Sequence, residues 1–277
     1  MTGPGPGETV WAMRESSLAI LEVSAGATDG RRVGTPVLVC RDLRKRFGRI
    51  EAVRGVSFEI AEGETYGLLG PNGAGKTTTI SIACGLLEPD AGEVLVCAQR
   101  LTTRSVAAKA AIGYVPQELA IYPDLSAREN LRFYARLFGV ARPQPRIEAL
   151  IDRLGLGGWS HRPVRGLSRG LLQRAALARV LLHEPDVLFL DEPFTGLDLD
   201  ARDVLCDVLR DAHRGGTTLL MSTHDVGLGL SLCSAAVVLV RGGIAWQGAV
   251  GPSDTAEFEA RYRALTHGGA GAPPRGA

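Results

Sequence analysis

The stretch Gly70-Pro71-Asn72-Gly73-Ala74-Gly75-Lys76-Thr77 constrains this chain more than any other. It is a complete G-x-x-x-x-G-K-[ST] loop, and it lies where such a loop can work. The apolar run Thr65-Tyr66-Gly67-Leu68-Leu69 before it predicts a buried strand. Ile80, Ile82, Ala83, Leu86 and Leu87 after it are available for one apolar face of a helix. The glycines let backbone N–H groups turn toward a polyphosphate, and the helix N-terminus adds a favourable field for anions. Lys76 is placed to neutralise the β- and γ-phosphates, and the Thr77 hydroxyl to ligate Mg²⁺, with Thr78 beside it. The prediction is a nucleoside triphosphate site running from Gly70 to Thr78.

Composition narrows the remaining classes. With 31 basic and 30 acidic residues, the net charge of +1 makes no electrostatic case for nucleic-acid binding. Nearly all the basic residues are arginine. Only Lys45, Lys76 and Lys109 are lysines, and one of these occupies the phosphate-binding position. The five cysteines (Cys40, Cys84, Cys97, Cys206 and Cys233) include no C-x-x-C pair, and most lie in apolar stretches. That pattern predicts buried free thiols in a reducing compartment rather than a metal site. No run reaches the roughly eighteen apolar residues of a membrane helix. The short patch Leu18–Leu21 lacks a basic flank and ends at Glu22, so no signal peptide is predicted. These readings predict a soluble, cytoplasmic chain.

Residues 1–35 are rich in Gly, Pro, Thr and Ser and read as a flexible leader. A single domain is expected over 36–250, followed over 251–277 by a short helix and a disordered tail. Val37–Glu64 alternates short apolar and polar runs, as an antiparallel β region would. Further strands are expected at Glu93–Val96 and Ile112–Val115. A helical insert is expected over about 117–165, where Leu131, Tyr134, Ala135 and Phe138 share one face and Ile147, Leu150, Ile151 and Leu154 share another. Ser126-Ala127-Arg128-Glu129 has the form of a capping box. Helices near Leu171–Leu182 and Ala201–His213 then alternate with strands at Val187–Leu190, Thr218–Ser222 and Ala236–Val240. Such alternation predicts an α/β fold with a parallel core sheet. No internal repeat is visible.

The strand Val187–Leu190 runs into Asp191-Glu192. A buried parallel strand delivers the residues at its C-terminal end to the ligand crevice of an open α/β sheet. Asp191 is placed to organise Mg²⁺, and Glu192 to polarise an attacking water.

Between these two elements stands Leu167-Ser168-Arg169-Gly170-Leu171-Leu172-Gln173-Arg174, which resembles the signature motif of ABC-type ATPases, usually written L-S-G-G-Q. The resemblance covers about residues 37–250. Tyr114-Val115-Pro116-Gln117 looks like the Q-loop, Thr195-Gly196-Leu197-Asp198 like the D-loop, and Ser222-Thr223-His224-Asp225 like the switch histidine. Phe47 matches the adenine-stacking aromatic. Arg169 and Leu171 depart from the usual Gly and Gln, whereas Ser168 and Gly170 remain. The resemblance implies a P-loop NTPase fold of the ABC type. In it, Gln117 touches Mg²⁺ or the lytic water, His224 senses the γ-phosphate, and Ser168 and Gly170 grip ATP held by an opposite subunit. Asp198 reaches across the same interface. Other roles compete: a helix cap at Ser168 or Asp198, and a core-facing aromatic at Phe47.

The family places Lys76 and Ser168 too far apart to serve one ATP. The resemblance therefore implies a dimer, a homodimer in the simplest case, closing over two ATP molecules. It also implies a separately encoded multispanning permease, which would hold the chain at the inner face of the cell membrane. Glu118–Leu131 and the Ser-Arg-Gly signature look like the ATPase subunits of ABC-2 type exporters of drugs, antibiotics or lipids. An importer ATPase, or a soluble ABC ATPase acting on ribosomes or DNA, is the alternative.

Overall fold

The computed structural model describes residues 36–251 and 255–267. The leader and the C-terminal tail expected from the sequence lie outside the described residues.

A four-stranded antiparallel sheet has the order β2-β1-β4-β5, with β1 Pro36–Phe47, β2 Ile50–Ala61, β4 Ala91–Val96 and β5 Gln99–Leu101. A six-stranded sheet has the order β10-β9-β3-β8-β7-β6. Its members are β3 Thr65–Leu69, β6 Ile112–Val115, β7 Val187–Asp191, β8 Thr218–Thr223, β9 Ala235–Val240 and β10 Gly243–Ala249. All pairings in it are parallel except the edge pair of β9 and β10. β3, β7 and β8 are buried along their whole length, which explains why their middles are apolar without alternation.

Helix α1 (Lys76–Ala83) follows the phosphate loop. Ile80, Ile82 and Ala83 join Leu38, Phe58 and Phe189 in a core that includes residues of both sheets. The expected apolar face is shorter than predicted. The helix ends at Ala83, Gly85 turns the chain with φ +71°, and Leu86 points outward with 59% of its surface exposed. A five-residue helix, α2 (Val106–Ala110), comes next.

The insert contains α3 (Ala127–Leu137) and α4 (Pro143–Arg153). The capping box forms: Ser126 Oγ accepts from Glu129 N, and the Glu129 carboxylate accepts from Ser126 N at 2.8 Å. Leu131, Ala135, Ile147, Leu150, Ile151 and Leu154 are buried together with α5 (Arg169–Leu181) and α6 (Leu199–Arg214). Phe138, expected on that face, is 42% exposed and stacks on His183 at 4.2 Å instead. Helix α7 (Val226–Leu232) follows β8, and α8 (Thr255–His267) places Phe258 in a small cluster with Leu69, Leu230 and Val238. No described helix is long and apolar enough to cross a membrane.

Four cysteines are buried, and burial pushes the thiols of Cys84 and Cys233 up to about 12. Cys97 departs from the expectation. It is exposed, and with φ +49° it forms the β4–β5 turn with Ala98, whose φ is +61°.

The interior strand β7, between β8 and β6, supplies Leu188, Phe189 and Leu190 to the buried core. Phe189→Ala, at a fully buried position, is expected to cost about 3–5 kcal/mol. Ile50→Ala, at an exposed position, should stay within about 0.5 kcal/mol of the parent. Urea unfolding midpoints check this, and equal shifts for the two variants would contradict it.

Candidate nucleotide site

Register in the parallel sheet brings the site together. Leu69 pairs with Thr223, Asp191 with Ser222, and Val115 with Leu190. The C-terminal ends of β3, β8, β7 and β6 therefore lie on one edge. From that edge run the phosphate loop, His224, Glu192 and Gln117, at the place where open α/β sheets bind ligands.

The loop backbone turns sharply at Gly75, whose φ is +101°. A Cβ there would stand 2.5 Å from the Ala52 carbonyl oxygen. Only glycine fits both the angle and the close approach. The next residue, Lys76, is buried, and its ammonium has three oxygen partners. Nζ donates to the carbonyls of Gly70 at 2.7 Å and Pro71 at 3.3 Å, and pairs with Glu192 Oε1 at 3.2 Å.

Glu192 is held from several sides. Its second carboxylate oxygen, Oε2, accepts from His224 Nδ1 at 2.8 Å. Its backbone N–H donates to Ser222 Oγ at 2.9 Å, and that hydroxyl in turn donates to Asp191 Oδ1 at 2.6 Å. Its φ of +50° is rare for a residue with a side chain and costs about 1–3 kcal/mol. Lys76, Glu192 and His224 thus form one line, joined by an ion pair and a hydrogen bond. Burial and the nearby Glu192 carboxylate push the Tyr262 phenol of α8 upward, and burial with Asp191 does the same to Tyr114.

An open cleft of about 590 Å³ is lined by residues 71–78 with Ala52, Gln117, Glu192, Thr195 and His224. It is large enough for a nucleotide, since small-molecule pockets span about 300–1,000 Å³. Gly70 and Asp191 are buried. Ser168, Gly170 and Asp198 line a different cleft, of about 340 Å³, together with Arg169 and Arg174. Ser168 caps α5 by accepting from Leu171 N, and Asp198 caps α6 by accepting from Ala201 N at 2.8 Å. A Cβ on Gly170 would meet Ala201 Cβ at 2.8 Å, so glycine here permits close approach to the start of α6. Leu171 is buried in the core. Phe47 lines neither cleft; it is 49% exposed, so the core-facing alternative does not hold.

The sequence profile of the ABC transporter family matches residues 53–195. The chain belongs to the ABC transporter family. It carries the ATP-binding, ATP-hydrolysing domain of that family, with the α/β fold and the antiparallel N-terminal sheet. It is 40% identical over 210 residues to a Nod factor export ATP-binding protein I of Ralstonia nicotianae, covering 75% of this chain and 65% of that one. A protein of the same name from Burkholderia orbicola is 41% identical over 204 residues, covering 73% and 67%. The chain thus spans about two thirds of the length of these relatives, and slightly less for the first. A solved ATP-binding subunit of an ABC transporter superposes with a TM-score of 0.73 at 27% identity, covering 84% of this chain and 96% of that one.

Ser222 was read only as part of the switch motif, yet it joins Asp191 to the Glu192 backbone. A hydroxyl ending a strand that pairs with the Asp-Glu strand was the available signal. Ser222→Ala leaves a buried Asp191 carboxylate oxygen short of its donor, while the Glu192 N–H keeps only the Ser222 backbone carbonyl at 3.2 Å. It should destabilise the fold by about 1–3 kcal/mol in urea unfolding. A loss below about 0.3 kcal/mol would contradict the role given to this hydroxyl.

Proposed function

We propose that the chain is the motor subunit of an ABC exporter, binding and hydrolysing ATP in the Lys76 cleft. The observation that carries this reading is the line Lys76–Glu192–His224 within the cleft of the phosphate loop. Hydrolysis needs an anion-binding cation, a base for water and a group that orients the base. Those three types of group stand here in contact.

The loop N–H groups and Lys76 bind the polyphosphate. A γ-phosphate reaching Lys76 competes with Glu192 for the same ammonium. Once released, the carboxylate is free to accept a proton from water, and His224 keeps hold of it through Nδ1. Phe47, at the end of β1, stacks the adenine in this reading.

The oxygen donors Thr77, Asp191 and Gln117 suit Mg²⁺, a hard cation that binds few protein groups and completes its shell with phosphates and water. No cluster of three acidic, cysteine or histidine ligands occurs among the described residues, which fits this sparse mode. When bound, the ion would neutralise phosphate charge.

Ser168, Gly170 and Asp198 complete the site of a second copy of the chain. Their position in a separate cleft supports this arrangement. Two copies then close over two ATP molecules and drive a separately encoded membrane-spanning permease, which holds the motor at the cytoplasmic face. The relatives named for Nod factor export support outward transport. Glu118–Leu131 supports a cargo among drugs, antibiotics or lipids, through its resemblance to ABC-2 exporter subunits.

Glu192→Gln is expected to lower ATP turnover by about 10²–10⁴ while binding nucleotide no more weakly than the parent. With ATP it should elute as a dimer in size-exclusion chromatography. Hydrolysis at the parental rate would overturn the role of Glu192, and a monomer at saturating ATP would overturn the closed pair.

A further inference from the structure

Arg169 occupies the first position of α5, where a positive charge opposes the helix dipole and no acidic residue in the first turn offsets it. Among the described residues it takes part in no ion pair. A cation placed against the local field without a carboxylate partner needs another reason. Its guanidinium supplies one: Nη2 donates to the backbone carbonyl of Gln117 at 3.0 Å, across 52 residues of sequence. On the way the side chain passes Gly196, where a Cβ would meet Arg169 Cγ and Nε at 3.9 Å. Arg169 and Gly196 line the cleft of Ser168, whereas Gln117 and Thr195 line the cleft of the phosphate loop.

We infer that Arg169 is a positioning residue that ties the Gln117 loop to the N-terminus of α5, so that the two clefts of one chain move as a unit. The inference rests on the ATPase reading of the Gln117 cleft. A carbonyl held by a cation fixes the backbone from which the Gln117 side chain projects. Arg169 itself is the first residue after Ser168, the cap of α5 on which the second copy's nucleotide would rest. A shift of α5 on engaging that nucleotide would thus pull directly on Gln117. A glycine at 169, as in the usual signature, has no side chain to make this link.

The test compares the full-length parent with Arg169→Gly, Arg169→Lys, Gln117→Ala and the double variant Arg169→Gly/Gln117→Ala. Steady-state ATP hydrolysis is measured together with fluorescent nucleotide binding and hydrogen–deuterium exchange. Arg169→Gly should lower kcat by roughly three- to tenfold, the range of one net hydrogen bond, and leave nucleotide affinity unchanged. Exchange in peptides containing Gln117 should quicken. Arg169→Lys, which keeps one donor, should recover part of the loss. The double variant should be no slower than Gln117→Ala alone, because both changes act through one side chain. Parental kcat and exchange in Arg169→Gly, or fully additive losses in the double variant, would overturn the tie while leaving the ATPase reading standing. A parent with no ATP hydrolysis would overturn that reading and the inference with it.

Discussion

The buried contact between Lys76 and Glu192 is the constraint on which the rest of the site depends. Both side chains are about nine-tenths buried, and neither charge tolerates burial without a partner. Two carbonyls of the phosphate loop share the lysine, so the loop's shape and the carboxylate's position are settled together. The left-handed backbone at Glu192 belongs to the same constraint. It is held by Ser222 on the neighbouring strand, which also fixes Asp191. A lysine on one strand–helix junction thereby reports directly on the end of a strand remote in sequence.

The sheet order explains how so few residues do this. Strand β8 lies between β3 and β7, so the phosphate loop and the Asp191-Glu192 pair flank the strand that delivers His224. Parallel pairing aligns all three C-terminal ends without long loops. The helices α5 and α6 bring Ser168 and Asp198 to a cleft of their own. One chain therefore presents two clefts, one along the phosphate loop and one at Ser168, and among the described residues the reach of Arg169 to Gln117 joins them.

Much of this was legible in the order of residues. The phosphate loop carries its own flanking periodicity, and the apolar runs within β3, β7 and β8 declare a buried parallel core. The capping box at Ser126 marks the start of α3 because its donors and acceptors are local. What was not legible depends on contacts between distant segments. The partnership of Arg169 with a backbone carbonyl leaves no trace in composition, since any segment supplies such an acceptor. The outward turn of Leu86 follows from the short α1 and Gly85, whereas its apolar character suggested a longer face. The β4–β5 turn uses Cys97 and Ala98 at positive φ, with none of the Asn or Gly that usually marks such a turn. Phe47 illustrates the same limit, because an aromatic at the end of a strand suits a core or a stacking platform equally well until its exposure is known.

Nucleotide affinity of Lys76→Ala tests the central claim most directly, read by fluorescence titration with an ATP analogue beside thermal unfolding of the same sample. If the ammonium is the shared anchor of the phosphate loop and Glu192, its loss should weaken binding by at least about tenfold, as removal of charge-assisted bonds does. The unfolding temperature should fall too, because Glu192 is left as a buried carboxylate without its cation. Parental affinity and parental unfolding temperature would contradict the account.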